Sequence, residues 1–389
     1  MEYDKYKQSV QLLETTINEP HLEYMKSDGQ DWPFFLERTQ KLFDRIGNPE
    51  KQFKYIHVAG TAGKGSTAMM VYEIMRQAGH SVGLYLSPHV TTSIERVHAN
   101  GQLISADDFS EGISAMLPLI AQIQTEEPGL MPSYSELFMA IAMNYFKTSG
   151  VEWVVLETGC GGRYDKTNII PPPEVALLTN ISLEHCNILG DSLEKIAFHK
   201  AGIIKPGSAI YSTETDGSVQ SVFNEEAAQH NLNIEYLQPT TSYETAMLGE
   251  HQQENAALAA AAAQHLGITE EKIQAGIRQA KLPARIEVMQ AKPRVILDGA
   301  HSPSKIEALV HSLEQLRPWK KLHLVFTAKQ DKNLEGLLKP IIPLADTAIV
   351  TTFSLPGFGS YSSTDIKKVM QRLKTDLPKE LINHILNEL

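Results

Sequence analysis

One short segment contains the residue types that bind nucleotide phosphates. Residues 57–67 read His-Val-Ala-Gly-Thr-Ala-Gly-Lys-Gly-Ser-Thr, and a helix-like run follows them. The glycines let the backbone turn tightly and direct its N–H groups at an anion, while Lys64 adds a positive charge. The hydroxyls of Ser66 and Thr67 are available to a metal ion. The segment predicts a phosphate site made by Gly60, Thr61, Gly63, Lys64, Gly65, Ser66 and Thr67.

A carboxylate follows a second apolar run. Glu157 ends the sequence Val-Val-Leu-Glu, and the glycine-rich residues 158–165 come next. Open α/β sheets bind ligands at the carboxyl ends of their parallel strands. Beside a phosphate site, the carboxylate of Glu157 is suited to hold Mg²⁺. The alternative is an exposed glutamate in a surface loop.

Two further residues have two interpretations each. His185 follows the strand-like run 175–180, and it is either a metal ligand or a histidine of the core. Lys200 lies in an apolar helical stretch, where a charged amine is costly unless it is paired or modified. The alternative for Lys200 is a surface lysine whose stem covers apolar neighbours. The local sequence leaves both questions open.

The last hundred residues contain another candidate group. A short apolar run at 294–297 precedes Asp-Gly-Ala-His, so Asp298 and His301 follow a predicted strand. This pair is suited to hold a nucleotide ribose or a phosphoryl group, and Arg285 to supply positive charge to a transferred phosphoryl group. A hydrolase dyad is the other functional interpretation, but no suitably placed nucleophile accompanies it.

Strand-like and helical segments alternate along the chain, which predicts an α/β fold with a mostly parallel sheet. We expect strands at 55–59, 81–86, 153–157, 175–180 and 209–211, and helices near 66–78, 107–125, 135–148, 192–202 and 251–280. A second αβ pattern has strands at 294–297, 323–326 and 347–352, which predicts a smaller Rossmann-like domain. We therefore predict an ATP-binding domain over residues 1–283 and a C-terminal domain over residues 284–389.

The composition narrows the class of partner. The chain has 35 Lys and Arg against 46 Asp and Glu, a formal charge of −11, whereas nucleic acids and anionic membranes select a basic surface. We expect neither partner. Cys160 and Cys186 are too few for a disulfide scaffold and lack metal-ligand spacing. With no apolar signal segment and no membrane-spanning run, a cytoplasmic protein is expected.

The ordered motifs of the chain resemble the folylpolyglutamate synthase/dihydrofolate synthase family, which is related to the Mur ligases. The resemblance covers most of the chain. Besides the phosphate segment, it is carried by motifs at 86–90, 95–96, 100–101, 134–136, 157–168, 184–185, 189–190, 200–207, 251–255, 298–303 and 329–332. Several motifs in a fixed order are far more specific than one glycine-rich segment.

The resemblance implies a Mur-ligase-like ATP-binding domain and a role for individual residues. Lys64 and the loop amides would hold the ATP phosphates, and Lys200 matches a lysine that the family often carries as a carbamate. Two Mg²⁺ ions are expected. The implied nucleotide contacts beyond the loop are Asn255, Arg285, Asp298 and His301. The implied metal ligands are Ser87, Glu157 and His185, in addition to the Ser66 hydroxyl. The implied contacts of the pterin-bearing substrate are Gly162, Arg163, Tyr164 and Asp165.

The implied activity is that of a monomeric, ATP-dependent amide ligase. It would join L-glutamate to a folate or dihydropteroate carboxylate through an acyl phosphate, with Lys64, His185 and Lys200 as catalytic residues. Its partners would be a small-molecule acid and an amino acid. One alternative is the same chemistry on a non-folate acid with another amino acid or amine. A second alternative is a protein that binds ATP without catalysis.

The chain departs from the family pattern near the chemistry. Ala62 stands in the phosphate loop where asparagine is usual, Glu184 stands where aspartate is usual, and His199 stands where glutamate is usual. Further departures are Ser135, Thr158, Cys160, Lys166, Ser302 and the sequence Gly-Phe-Gly at 357–359, where an arginine is expected. These departures leave the ATP and metal positions intact, so they bear chiefly on the identity of the acyl substrate.

Overall fold

The computed structural model describes residues 2–16, 32–238, 242–355 and 358–374. Their contacts divide the chain into two units, Met1–Met247 with His251–Pro283 and Leu248–Glu250 with Ala284–Leu389. Gly357, within the segment where a family arginine is expected, lies outside the described residues. In the part of the chain that is described, no helix is long and apolar enough to cross a membrane.

An eight-stranded sheet organises the first unit. Its strands lie in the order β4, β3, β2, β5, β1, β6, β7 and β8. All neighbours from β2 to β8 are parallel, while β3 and β4 extend one edge antiparallel. The predicted mostly parallel sheet is therefore confirmed. The strands are β1 Lys54–Ala59, β2 Val82–Tyr85, β3 Val97–Ala99, β4 Gln102–Leu103, β5 Trp153–Glu157, β6 Val175–Leu178, β7 Ala209–Ser212 and β8 Ile234–Tyr236.

Helices cover both faces of this sheet. They are α1 Glu2–Thr16, α2 Trp32–Arg45, α3 Lys64–Gln77, α4 Ala106–Glu126, α5 Tyr134–Thr148, α6 Cys186–Leu189, α7 Leu193–Ala201, α8 Gly217–Gln229, α9 His251–His265 and α10 Glu270–Gln279. Short 3₁₀ turns lie at Pro49–Gln52, Ser93–Arg96, Pro128–Leu130 and Lys166–Ile169.

Strand β1 shows why the sheet is buried on both sides. Successive side chains of a strand point to opposite faces, and here both faces meet apolar helices. Ile56 packs in a core with α3, α9 and α10, whereas Tyr55 packs in a core with α4 and α5. A strand buried on both faces has a near-continuous apolar sequence rather than an alternating one, as β6 does, as β5 does up to Glu157, and as β1 does apart from Lys54 and His57.

Several predicted elements differ from the structure. The expected single helix over 251–280 is two helices, because Gly267 adopts a left-handed φ of 75° that ends the first helix. The strand expected over 175–180 ends at Leu178, and its last two residues turn toward the phosphate loop. The sequence patterns also missed the β3–β4 edge, β8 and α8.

The described residues of the second unit form short sheets and three helices. Strands β11 and β12 are parallel, while β9 pairs with β10 and β13 with β14 in antiparallel fashion. The elements are β9 Glu287–Ala291, β10 Arg294–Leu297, α11 Pro303–Gln315, β11 His323–Phe326, α12 Leu334–Ile341, the 3₁₀ turn Ile342–Leu344, β12 Thr347–Val350, β13 Ser354–Leu355, β14 Phe358–Gly359 and α13 Ser363–Lys374. Its own apolar core includes Ile306, Leu337 and Ile366.

Candidate active site

The phosphate loop leaves strand β1 through a glycine whose φ angle and close neighbours disfavour any side chain. Gly60 has a φ of 146°, and a Cβ at this position would lie 1.7 Å from Oγ1 of Thr179. The backbone N–H of Thr61 donates to the carbonyl of Asn180 at 3.0 Å. The end of β6 therefore fixes the start of the loop from the neighbouring strand.

Asn255 of helix α9 fixes the middle of the same loop. A Cβ at Gly63 would lie 2.2 Å from Oδ1 of Asn255, and that oxygen also accepts a hydrogen bond from Oγ1 of Thr67 at 3.3 Å. The Asn255 amide donates to Oε1 of Gln252 at 2.9 Å. Asn255, predicted as a nucleotide contact, thus lies against the phosphate loop in the same unit.

Helix α3 begins at Lys64, directly after the left-handed residue Gly63, and has no side-chain cap. The first N–H groups of a helix have no partner within the helix, so they and the helix dipole attract an anion. The ammonium of Lys64 lies 3.4 Å from the carbonyl of Thr61, which holds the side chain back over the loop. The arrangement suits the phosphates of a nucleotide.

Glu157 lies against this loop. It is the last residue of β5 and is 5% exposed, so the interpretation as an exposed loop residue is wrong. Its Oε2 accepts a hydrogen bond from the backbone N–H of Ser87 at 2.9 Å. A Cβ at Gly65 would lie 3.4 Å from the same oxygen. The carboxylate, the Ser87 segment and the start of α3 are therefore brought together by β5, β2 and β1.

The set of donors is suited to a hard cation. Carboxylate and hydroxyl oxygens are the ligands that Mg²⁺ prefers, usually together with substrate phosphates. Among the residues that are described, no group of three or more His, Cys, Asp or Glu side chains is arranged to hold a metal ion. The predicted ligands Ser66, Ser87, Glu157 and His185 include only two residues of those four types.

His185 and Lys200 occupy opposite environments. His185 is exposed and has a left-handed φ of 54° just before α6, so the interpretation as a core histidine is wrong. Lys200 is 5% exposed at the end of α7, and its ammonium donates to the carbonyl of Gly60 at 2.6 Å. The interpretation of Lys200 as a surface lysine is therefore wrong as well. Its amine contacts the phosphate loop itself.

The predicted substrate segment 162–165 makes contacts within the protein. Arg163 forms an ion pair with Glu226 and stacks on the ring of Phe198 at 4.1 Å. Asp165 is 5% exposed and accepts hydrogen bonds from the N–H groups of Cys160 and Thr167. These contacts fix the glycine-rich segment after Glu157. The role of the segment toward a substrate stays a prediction.

A buried chain of hydrogen bonds connects this segment to β1. The hydroxyl of Thr167 donates to Oδ1 of Asp165 at 2.6 Å and lies 2.9 Å from Nε2 of His57. Burial, together with the charge of Lys205, lowers the pKa of His57 to about 3. His57 is therefore neutral at ordinary pH, and its Nε2–H donates to the Thr167 hydroxyl, whose own hydrogen is directed at Asp165.

Aromatic rings surround His199 beside a cavity. The ring of Trp32 lies edge-on to His199 at 4.2 Å, and the ring of Tyr164 lies 6.0 Å away. Burial, followed by the charges of Arg163 and Lys200, lowers the pKa of His199 to about 4. A cavity of about 580 Å³ is lined by Trp32, His199, Phe198 and the residues of α6. The residue that departs from the family's glutamate is thus neutral and lies next to an aromatic cluster.

In the second unit, the predicted nucleotide contacts lie within a single loop region. Both carboxylate oxygens of Asp298 accept backbone hydrogen bonds, from Ile286 and Ala300 at 2.8 Å each. A Cβ at Gly299 would lie 3.1 Å from a guanidinium nitrogen of Arg285. His301 is exposed, and its Nδ1 lies 2.7 Å from the carbonyl of Gly299. Their roles toward a nucleotide stay predictions.

Sequence reasoning missed the residues that act across the sheet. Thr179 excludes any side chain at Gly60, and Leu282 approaches Gly65, where a Cβ would lie 3.2 Å from its Cδ2. Neither residue belongs to a recognisable motif. The sequence indicated Thr179 and Leu282 only indirectly, because a glycine after a buried strand indicates that another part of the chain or a ligand approaches it closely.

The fold and the loop define a class of protein. The family described as "Mur ligase, glutamate ligase domain" matches residues 284–386. A crystal structure of Mycobacterium tuberculosis folylpolyglutamate synthase with ADP and AMPPCP superposes with a TM-score of 0.84 at 26% identity, and the match covers 96% of this chain and 87% of that one. The chain is therefore an ATP-dependent ligase of the Mur ligase type, with a large, mostly parallel sheet covered by helices and a smaller C-terminal domain.

The relatives specify the family. A dihydrofolate synthase/folylpolyglutamate synthase of Bacillus subtilis is 34% identical over 352 residues, which cover 82% of this chain and 81% of that protein. A solved FPGS-AMPPCP-folate complex has a TM-score of 0.73 at 26% identity, with 82% of both chains covered. The chain belongs to the folylpolyglutamate synthase/dihydrofolate synthase family. The predicted ligase class and the use of ATP are thereby confirmed.

Proposed function

We propose that this ligase joins L-glutamate to the carboxylate of a folate or a dihydropteroate through an acyl phosphate. The observation that carries the proposal is the position of Glu157, whose buried carboxylate lies against the start of helix α3. A protein that only binds a nucleotide needs the loop, whereas phosphoryl transfer also needs a group that organises charge beside the phosphates.

The first step activates the acid. A carboxylate oxygen of the acid attacks the γ-phosphorus of ATP, the bond to the β-phosphate bridge oxygen breaks, and ADP leaves. Lys64 and the first N–H groups of α3 bind the phosphates and offset the charge on their oxygens. Asn255 holds the loop in the shape that aims these groups at the phosphates, because Gly63 packs directly on it.

We propose that Glu157, Ser87, Ser66 and His185 supply ligands for Mg²⁺. The ion would offset charge on the phosphoryl oxygens when bound. Glu157 fits this role because its carboxylate is buried beside the loop and oriented by the N–H of Ser87. His185 fits it because the ring is exposed just after the turn that approaches the loop.

We propose that Lys200 acts as a carbamate. A free ammonium at this position adds a buried cation near the partly buried Lys64, whereas a carbamate presents an anion suited to a further metal ion. A carbamate nitrogen keeps one hydrogen, so the bond to the Gly60 carbonyl is preserved. The modification therefore requires no change in the contact that places the side chain.

The second step forms the amide. The free amine of glutamate attacks the acyl carbon, the carbon–oxygen bond to phosphate breaks, and inorganic phosphate leaves with that oxygen. The incoming ammonium must first lose a proton, and we assign this to a carboxylate of the site, or to His185 when its exposed imidazole is not bound to Mg²⁺.

Aromatic side chains support a folate-type acid. Trp32, Tyr164 and His199 form a cluster next to the glycine-rich segment. Such rings bind a flat conjugated group by stacking and edge contacts. The neutral His199 adds a hydrogen-bonding edge without a charge.

The experiment is an assay of ADP formation with dihydropteroate or a reduced folate, ATP, Mg²⁺ and L-glutamate. Glutamate-dependent ADP release, with a product heavier by one glutamyl residue, supports the proposal. Turnover with a non-folate acid alone would replace folate as the substrate. ATP binding without turnover on any acid would contradict ligase function. A monomeric state and a cytoplasmic location stay predictions.

A further inference from the structure

A buried lysine near the site has no role in the steps above. Lys166 begins the 3₁₀ turn Lys166–Ile169, and its side chain is 9% exposed. Its ammonium lies 3.9 Å from Oδ2 of Asp165, beyond hydrogen-bond distance. Within the described ranges it makes no hydrogen bond. An ammonium carries three donors, so this one can bind an acceptor that these residues do not supply.

The nearest carboxylate is already engaged. Asp165 accepts hydrogen bonds from the N–H of Cys160 and from the N–H and hydroxyl of Thr167. Burial by itself lowers the pKa of Lys166, but the Asp165 charge acting together with Tyr85 and Glu136 outweighs burial, so the pKa is raised above its ordinary value. Lys166 is therefore a cation at neutral pH.

The charges around Lys166 leave a positive excess. Besides Asp165, the charged groups that act on it are Arg96 and Glu136. Glu136 is paired with Arg38 at 3.1 Å. Arg96 is 5% exposed and donates to a carbonyl and a tyrosine hydroxyl rather than to a carboxylate. Among the charged groups that act on Lys166, this leaves two buried cations, Lys166 and Arg96, against one carboxylate, that of Asp165, and such an excess favours an anionic ligand.

The ammonium of Lys166 lies beside the glycine-rich segment that follows Glu157. A Cβ at Gly159 would lie 2.8 Å from the Lys166 ammonium, and Gly159 is two residues beyond Glu157. The ammonium therefore lies against the glycine-rich segment that follows Glu157, the carboxylate that we propose to organise phosphoryl transfer.

We propose that Lys166 binds a second negative charge on the acyl substrate, beside the carboxylate that becomes phosphorylated. The enzyme then favours an acid that already carries a glutamyl residue over dihydropteroate, which has one carboxylate. Lys166 is a specificity-determining residue for chain extension. This inference rests on the proposed function, and it adds which of the two acids that function accommodates best.

The first arm of the test uses the unmodified enzyme. The KM of a reduced pteroylglutamate is compared with that of its α-amide, which keeps the ring and the reacting γ-carboxylate and lacks the second charge. We expect the α-amide to raise KM about 10- to 100-fold, the size of a hydrogen bond to a charged group. Equal KM values for the pteroylglutamate and its α-amide on the unmodified enzyme would overturn the proposal.

The second arm uses variants. Lys166→Met should raise the KM for pteroylglutamate by a similar factor and leave the KM for dihydropteroate unchanged, while Lys166→Arg should retain the preference. Lys205→Met is the matched control, because the Lys205 ammonium donates to the carbonyls of Asn168 and Ile170 in the same segment. The proposal fails if Lys205→Met also removes the preference for pteroylglutamate over dihydropteroate. It fails as well if Lys166→Met raises the KM of both acids equally, because Lys166 would then act only through the conformation of the segment. If the unmodified enzyme uses neither acid, the proposed function fails first.

Discussion

Replacement of Gly60 by alanine tests how the phosphate loop is held. The added Cβ would lie 1.7 Å from Oγ1 and 2.8 Å from Cβ of Thr179, and the φ of 146° is one that only glycine adopts readily. The backbone of Thr179 is held in place by the hydrogen bond from its N–H to the carbonyl of Ala59 at 2.9 Å. The loop must therefore move.

The cost follows from the contacts that this movement breaks. Thr61 loses its bond to the Asn180 carbonyl, and the Gly60 carbonyl loses the Lys200 ammonium. A neutral hydrogen bond contributes about 0.5–1.5 kcal/mol and a charged one about 1.5–3 kcal/mol, so the loop loses about 2–4.5 kcal/mol of support. We expect ATP affinity to fall roughly 30- to 2,000-fold.

Alanine substitutions at two other glycines distinguish the effect of the contact with Thr179 from the effect of the φ angle. Gly207 has a φ of 85° with open space around a Cβ, and Gly217 has open space without a positive φ. Gly207→Ala should cost about 1–2 kcal/mol of folding stability without changing ATP affinity, and Gly217→Ala should change neither. The double variant Gly60→Ala with Thr179→Gly should recover part of the affinity, because it removes the two nearest atoms, Oγ1 and Cβ of Thr179, and leaves the Thr179 nitrogen at 3.1 Å.

Titration calorimetry with ATP and thermal denaturation measure the two quantities. ATP affinity of Gly60→Ala within twofold of that of Gly207→Ala would refute the reasoning, since the contact with Thr179 would then have no influence on the loop. If Thr179→Gly restores no ATP affinity to Gly60→Ala, the loss of affinity comes from the φ angle of residue 60 rather than from the contact with Thr179.

Three further substitutions test other parts of the structure. Lys200→Ala should abolish turnover and weaken ATP binding about tenfold by freeing the Gly60 carbonyl; turnover in a steady-state assay would contradict its catalytic assignment. Glu157→Gln keeps the acceptor for the Ser87 N–H but removes the charge, so the Mg²⁺ concentration for half-maximal turnover should rise, and an unchanged value would exclude Glu157 as a ligand. Glu50 is fully buried, and burial raises the pKa of its carboxyl group. The folded chain therefore holds the Glu50 proton more tightly than the unfolded chain does. The free energy of unfolding consequently falls as pH rises from the ordinary pKa of a glutamate to the raised one. Glu50→Gln should raise Tm at pH 7 and flatten this dependence, whereas thermal denaturation with the wild-type slope would contradict the assignment.

Local sequence patterns predicted the elements whose chemistry is local. The strand at 153–157 agrees residue for residue with β5, because a run of apolar β-branched residues buried on both faces has few alternatives. The helix after the phosphate loop begins two residues earlier than predicted, at Lys64. The helix over 251–280 was wrong because Gly267 lies within an otherwise helical composition, where a single glycine is tolerated in some helices and ends others.

Individual side chains show where local patterns fail. Glu157, His185 and Lys200 each had a functional and an ordinary interpretation, and the ordinary one was wrong in each case because burial is set by packing. Lys200 is buried by the loop that follows β1, which is 140 positions away in the sequence. No local pattern contains that information.

The sequence by itself determined the glycine-rich phosphate loop, the alternation of strands and helices, and the ordered motifs that place the chain in its family. These properties depend on residue types at short spacing, which fix backbone freedom and hydrogen-bonding capacity. The tertiary structure decided which groups meet: Thr179 and Lys200 at Gly60, Asn255 at Gly63, Glu157 at Gly65 and Lys166 at Gly159. Each contact joins residues from different strands, helices or turns, so it exists only after the sheet has set their register and the helices have packed on it.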